Sequence, residues 1–124
     1  MSEKQIIKNL FQHFPDIRYV ALYLDDMLVF QQRDNVTDNS SRETDRFEEL
    51  LVNPTLLTLA SQRGNIDCGG LDYLIIGYGN FYQLVKSTAN GHISICLEKS
   101  SDITHLPQRI FKFLKSNHKE LHIP

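Results

Sequence analysis

His118 and His122 stand four residues apart, which on a helix puts both imidazoles on one face. Such a pair begins a zinc site, but zinc needs three or four ligands and no third lies near. His92 and His105 bracket the last predicted strand, and Ser87 and Ser94 supply hydroxyls, so a Ser-His-acid triad is open to this chain. No nucleophile elbow accompanies them. His92 directly follows Asn90-Gly91 and reads more economically as a residue that opens a strand. Gly77-Tyr78-Gly79 follows a strand, but the dinucleotide fingerprint requires glycine where Tyr82 stands, and then a helix. The Walker A pattern is absent. Asp25 and Asp26 could pair as carboxylates, although two acids in a tight turn are usually solvated. No catalytic residue, metal ligand or cofactor site is assigned from these positions.

The bounds on the whole chain agree. At 124 residues, 41% hydrophobic and 23% charged, it has the length and composition of one soluble domain, 1–124. A net charge of −2 and scattered Lys and Arg disfavour nucleic acid and anionic membrane as partners. The start lacks a signal-peptide h-region and no apolar run suits a membrane span, so a cytoplasmic protein is expected. Cys68 and Cys96 fit no CxxC or zinc spacing and are expected to be reduced, Cys96 as a small buried hydrophobe. Asn35-Val36-Thr37 and Asn39-Ser40-Ser41 match the glycosylation pattern, which without secretion marks only a polar loop.

The elements that must position these residues centre on Leu71 to Leu97. Three runs of β-branched and aromatic bias are divided there by Gly79-Asn80 and Asn90-Gly91, both hairpin signals. Upstream, Ser2-Glu3-Lys4-Gln5 has the form of a capping box for a helix with Ile6, Ile7, Leu10, Phe11 and Phe14 on one stripe. Ile17 to Leu24 and Met27 to Gln32 read as a hairpin around Asp25-Asp26. Residues 33–41 read as a mobile polar loop. A second box, Ser40 to Glu43, opens a helical segment to Arg63, with Gly64 placed as its C′ residue. Asn53-Pro54 makes this either two helices or one with a kink. Ser100-Ser101-Asp102 caps a last helix with Ile103, Leu106, Ile110, Phe113 and Leu114 on one stripe, and residues 117–124 read as a frayed tail. The order α-β-β-α-β-β-β-α predicts an α+β sandwich, a five-stranded antiparallel sheet covered by three helices.

Treated as one helix, the second segment is apolar on two sides. Phe47, Leu50, Leu51 and Pro54 share one, and Val52, Leu56, Leu59 and Ala60 fall roughly opposite. One face would meet the sheet and the other a second copy of the chain. The alternative, that Pro54 restarts the phase and both sets pack on the sheet, stays open.

This order resembles the roadblock/LC7 family, a profilin-like fold related to longin domains, over about Ile6 to Leu114. The resemblance is carried by TyrValAlaLeuTyrLeuAspAspMetLeuVal, by the long second helix, by GlyLeuAspTyrLeuIleIleGly and by GlnLeuVal…AsnGlyHisIleSerIleCysLeu. Asp26-Met27 lacks the family's turn glycine, Pro54 interrupts the long helix, and the stretch before the last helix lacks a glycine. The resemblance implies a non-catalytic dimer in which two second helices lie side by side and two third strands pair. On this chain that implies an interface of Val52, Leu56, Leu59, Ala60, Leu74 and Ile76. It also implies a partner such as a small Ras-like GTPase. Phe81 and Tyr82 at a hairpin rim are core edge or partner contacts, and Arg63 and Asn65 near the helix end are further candidates. A different class, a PAS- or GAF-like small-molecule sensor, would need a pocket between sheet and helices.

Overall fold

A computed structural model describes residues 2–124. The element order is α1 (Glu3–His13), β1 (Ile17–Leu24), β2 (Met27–Gln32), α2 (Arg42–Phe47), α3 (Asn53–Asp67), β3 (Leu74–Gly77), β4 (Phe81–Thr88), β5 (Gly91–Glu98) and α4 (Leu106–Asn117). A π-helical turn, Glu48–Val52, joins α2 to α3 without a break, so three helical bodies cover one sheet as expected. The five strands are ordered β2-β1-β5-β4-β3 and every pairing is antiparallel. Chain-distant β1 and β5 therefore lie side by side in the middle.

Strict alternation along β4 and β5 divides the sheet into two faces. Leu84 on β4 and Ile93, Ile95 and Leu97 on β5 join Val20 and Leu22 of β1 in the main core. The stripes of α1 (Ile6, Ile7, Leu10) and α4 (Leu106, Ile110, Phe111, Leu114) close over this face. Residues of the opposite parity are different: Gln83, His92, Ser94 and Cys96 sit with Tyr19 and Ala21 on the other face, under α2 and α3.

Local signals are used differently from their expected form at several points. Ser2 caps α1, but the Gln5 side chain bonds Asn9 rather than reaching back to the cap. Ser41, not Ser40, caps α2 through the Thr44 N–H. Gly64 is not a terminus: α3 runs on to Asp67, and the glycine is needed because a side chain there would crowd the backbone of Gly70 at 3.1 Å. The reversal is made instead by Gly69 and Gly70, both at positive φ. β3 is confined to Leu74–Gly77 because Lys86 Nζ occupies the Asp72 carbonyl (2.7 Å) and carboxylate (2.8 Å), just before the ladder begins. The last helix begins at Leu106 rather than at the capping cluster. Asp102 spends its side chain on Thr104 N–H and His105, and its carbonyl on Leu106 N–H.

Residues 117–124 dock instead of fraying. His118 and Leu121 are buried, a 3-10 turn spans Lys119–Leu121, and the His118 ring lies 3.2 Å from Asn9 on α1. Leu121 extends the main core. The polar loop 33–41 is tethered by the buried Arg18, whose Nη2 donates to the carbonyls of Thr37 (2.6 Å) and Asp38 (3.2 Å).

Candidate functional site: a carboxylate-lined cleft beneath the second helix

The helix α2–α3 lies on the sheet with an inverted pattern. Its buried positions are Asp45, Glu49, Asn53, Leu57 and Gly64. At 3.6 residues per turn, an unbroken α-helix would leave Asp45 and Leu57 about 120° out of phase. The π turn absorbs that drift, with Asn53 N–H reaching back to the Glu48 carbonyl, and all these residues reach the sheet. Pro54 sits in the first turn of α3 and has no N–H to donate, so the wider turn falls where the α ladder is already broken. The helix is neither kinked into two phases nor laid down on an apolar face. Phe47, Leu50, Leu51, Leu56, Leu59 and Ile66 point outward, Leu59 at 59% and Ile66 at 75% exposure.

Glu49 is fully buried and holds the centre. Its Oε1 accepts from Asn53 Nδ2 (2.8 Å) and meets His92 Nε2 at 2.8 Å; its Oε2 accepts from Tyr19 OH (2.9 Å) and Gln83 Nε2 (3.4 Å). A carboxylate only accepts, so with Glu49 ionised the His92 proton resides on Nε2. Gln83 also donates to Ser94 Oγ at 2.6 Å. Burial, reinforced by Glu49, drives the Tyr19 hydroxyl far above its ordinary pKa and fixes it as a donor. Burial raises the Cys96 thiol as well, with Glu49 and Asp45 adding to the rise, so Cys96 is an unreactive buried hydrophobe.

Beside this network opens a cleft of about 330 Å³, lined among others by Tyr19, Asp45, Glu48, Glu49, Tyr78, Phe81 and Gln83. Arg18 shapes its rim: its guanidinium stacks 5.2 Å from the Phe81 ring and donates to the Asn80 carbonyl. The Tyr78 and Phe81 rings meet edge to face at 5.5 Å. Glu48 accepts from Tyr78 OH at 2.8 Å. Burial raises the Glu48 carboxyl pKa, the Tyr78 bond partly offsets this, and Glu49 and Asp45 push it further up. Asp45 accepts from Ser40 Oγ and from Gln32 Nε2.

The sequence candidates distribute unevenly around this site. Phe81 lines the cleft, whereas Tyr82 faces the other side of the sheet, packed on the main core with Lys99 Nζ 4.1 Å from its ring. Arg63, exposed and paired with Asp67, and exposed Asn65 lie 14 or more residues along the helix from Glu49, about 20 Å away. They do not join Phe81 in one site. Val52 and Ala60 are half-buried and Leu56 and Leu59 exposed on the helix; Leu74 and Ile76 are half-buried on edge strand β3. His92 does not merely open a strand but is buried at the heart of the network. No triad forms: the Ser94 hydroxyl pairs with Gln83 and Asn53, not His92, and His105 is exposed beside Asp102. Glu49 and Asn53 are central positions of the network that the sequence pattern does not single out. Their signal is the i, i+4 run Asp45, Glu49, Asn53 matched to polar alternation at His92 and Ser94.

Among the described residues no group of His, Cys, Asp and Glu could hold a metal ion, and no helix is long and apolar enough to cross a membrane. Neither a protein-family model nor a curated protein matches the chain.

Proposed function

We propose that the chain is a non-catalytic homodimeric interaction module of roadblock type, cytoplasmic, which scaffolds or regulates a small Ras-like GTPase or another signalling protein. The observation that carries this reading is the outward apolar face of α2–α3. Exposed Leu56, Leu59 and Ile66 continue the outward line of Phe47, Leu50 and Leu51, more apolar surface than a surface helix needs. Edge strand β3, short and unpaired on its outer side, offers Leu74 and Ile76 to the same assembly. Any effect on a GTPase would arise from different contacts with its nucleotide states, since only those shift an equilibrium. Light scattering over a dilution series tests the dimer: a mass of twice 14.4 kDa is expected, and Leu59→Asp should reduce it to the monomer. A wild-type monomer at all concentrations, or a Leu59→Asp dimer, would refute this face as the interface.

The cleft favours a second reading, small-molecule binding in the manner of a PAS or GAF sensor. Its position between helix and sheet is where such a ligand would sit. A metabolite panel scored by thermal stabilisation tests it, with a ligand-induced rise in midpoint expected and no response counting against it.

A further inference from the structure

The cleft carries chemistry beyond its existence. Its walls bring Asp45, Glu48 and Glu49 together with the rings of Tyr19, Tyr78 and Phe81, and among the described residues no Lys, Arg or His lines it. Arg18 is already engaged with loop carbonyls behind Phe81, and the His92 ring is turned to Glu49. Arg42 stacks over Phe30 at 4.4 Å. The polar network beneath is also rich in acceptors, for Asn53 Oδ1 is fully buried and has no donor among the described residues. A half-buried Glu48 with one neutral donor, flanked by two further carboxylates, is a site whose charge is incompletely compensated.

We propose that this cleft binds a small organic cation, an ammonium group on a compact apolar or aromatic body. The ammonium would be held at Glu48 and the body would lie against the Tyr78 and Phe81 rings. Carboxylates supply the charge, and aromatic faces favour a cation and accept apolar surface alike. A metal ion is the poorer occupant, because the carboxylates do not converge as ligands. The volume suits a ligand at the small end of the usual range, about 300 to 1,000 Å³. This inference rests on the small-molecule reading of the cleft and is independent of the dimer.

The test is an NMR titration of the full chain with benzylammonium, with benzyl alcohol as neutral isostere and benzoate as anionic isostere. Benzylammonium should shift the amides of residues 44–49 and 78–81 and saturate. Benzyl alcohol should bind at least tenfold more weakly, benzoate should not bind, and affinity should fall as salt is raised. Glu48→Gln, which keeps the shape and the Tyr78 bond, should weaken benzylammonium by about tenfold. Equal binding of the alcohol, or undiminished binding by a folded Glu48→Gln chain, would overturn the cation while leaving a small-molecule cleft intact. No binding by any of the three probes would overturn both. The comparison of isosteres is made on the unaltered chain, so its outcome does not depend on the variant folding.

Discussion

Replacing Glu49 by Leu tests whether the second helix is held to the sheet by polar rather than apolar burial. The two side chains are close in size, so the perturbation is electrostatic and leaves no large void. Of the groups facing Glu49, Gln83 Nε2 keeps Ser94 at 2.6 Å and Asn53 Nδ2 retains a long contact to Ser94 at 3.5 Å. Tyr19 OH and His92 Nε2 have Glu49 as their partner in this network and are orphaned without it. An orphaned buried polar group costs about 1–3 kcal/mol, so leaving two of them without a partner is expected to cost about 2–6 kcal/mol. A domain of this length holds roughly 6–19 kcal/mol in total, so the variant should still fold. Urea unfolding followed by circular dichroism should show a midpoint about 2 M lower, taking a slope of about 2 kcal/mol/M. Adding His92→Leu should recover at least about 1 kcal/mol, because one orphan is then removed. A Glu49→Leu cost below about 1 kcal/mol, or strict additivity with His92→Leu, would refute the network as the anchor of this helix.

Gly91→Ala should destabilise the β1–β5 ladder at its end beside the turn. The added Cβ would fall onto the Tyr23 carbonyl oxygen and 2.8 Å from its carbon, backbone that cannot yield, and a loss of about 3 kcal/mol or more is expected in thermal unfolding. Glu48→Gln should stabilise the chain near neutrality. The folded Glu48 pKa is raised, so its ionisation disfavours folding as pH climbs above the ordinary carboxyl range, and the difference from the parent should vanish in acid. Melting curves across pH read this directly, and a gap that widens in acid would contradict it. Leu121→Ala should cost about 2–5 kcal/mol, the range for a buried Leu in a core, whereas a frayed tail would make it neutral in the same melting assay.

Element types and order are legible because each follows from local pattern: the α1 and α4 stripes, the two-residue turn at Asp25-Asp26, the alternation in β5. Asp25 and Asp26 take positive φ without a glycine, which short polar side chains tolerate. The orientation of the second helix is not legible, since a pattern of apolar residues assigns them to the inside by default. Here the sheet beneath is itself polar at Gln83, His92 and Ser94, and the better complement to that face is Glu49 with Asn53. The docked tail is hidden for a simpler reason: Leu121 alone makes no periodic stripe, and only the folded core supplies its partners. The cleft depends on loop 33–41 and the Tyr78–Phe81 turn meeting through Arg18, a long-range contact that no window of sequence contains.

The π turn at Glu48–Val52 also bears on how this gene can change in length. Loss of one residue from 50–52 would restore ordinary helical winding and leave both flanks in place, because Asp45 and Leu57 would then fall within about 20° of one another on a plain α-helix. Asp45 and Glu49 would keep facing the sheet, whereas a residue gained or lost within the regular α turns on either side would rotate one half of the helix by about 100°. Single-residue deletions are commonly tolerated in loops, and here one place inside a helix shares that tolerance. Descendants of this chain are therefore expected to vary in length at 33–41, to tolerate a one-residue loss at 50–52, and to keep the count within the regular turns of α2 and α3.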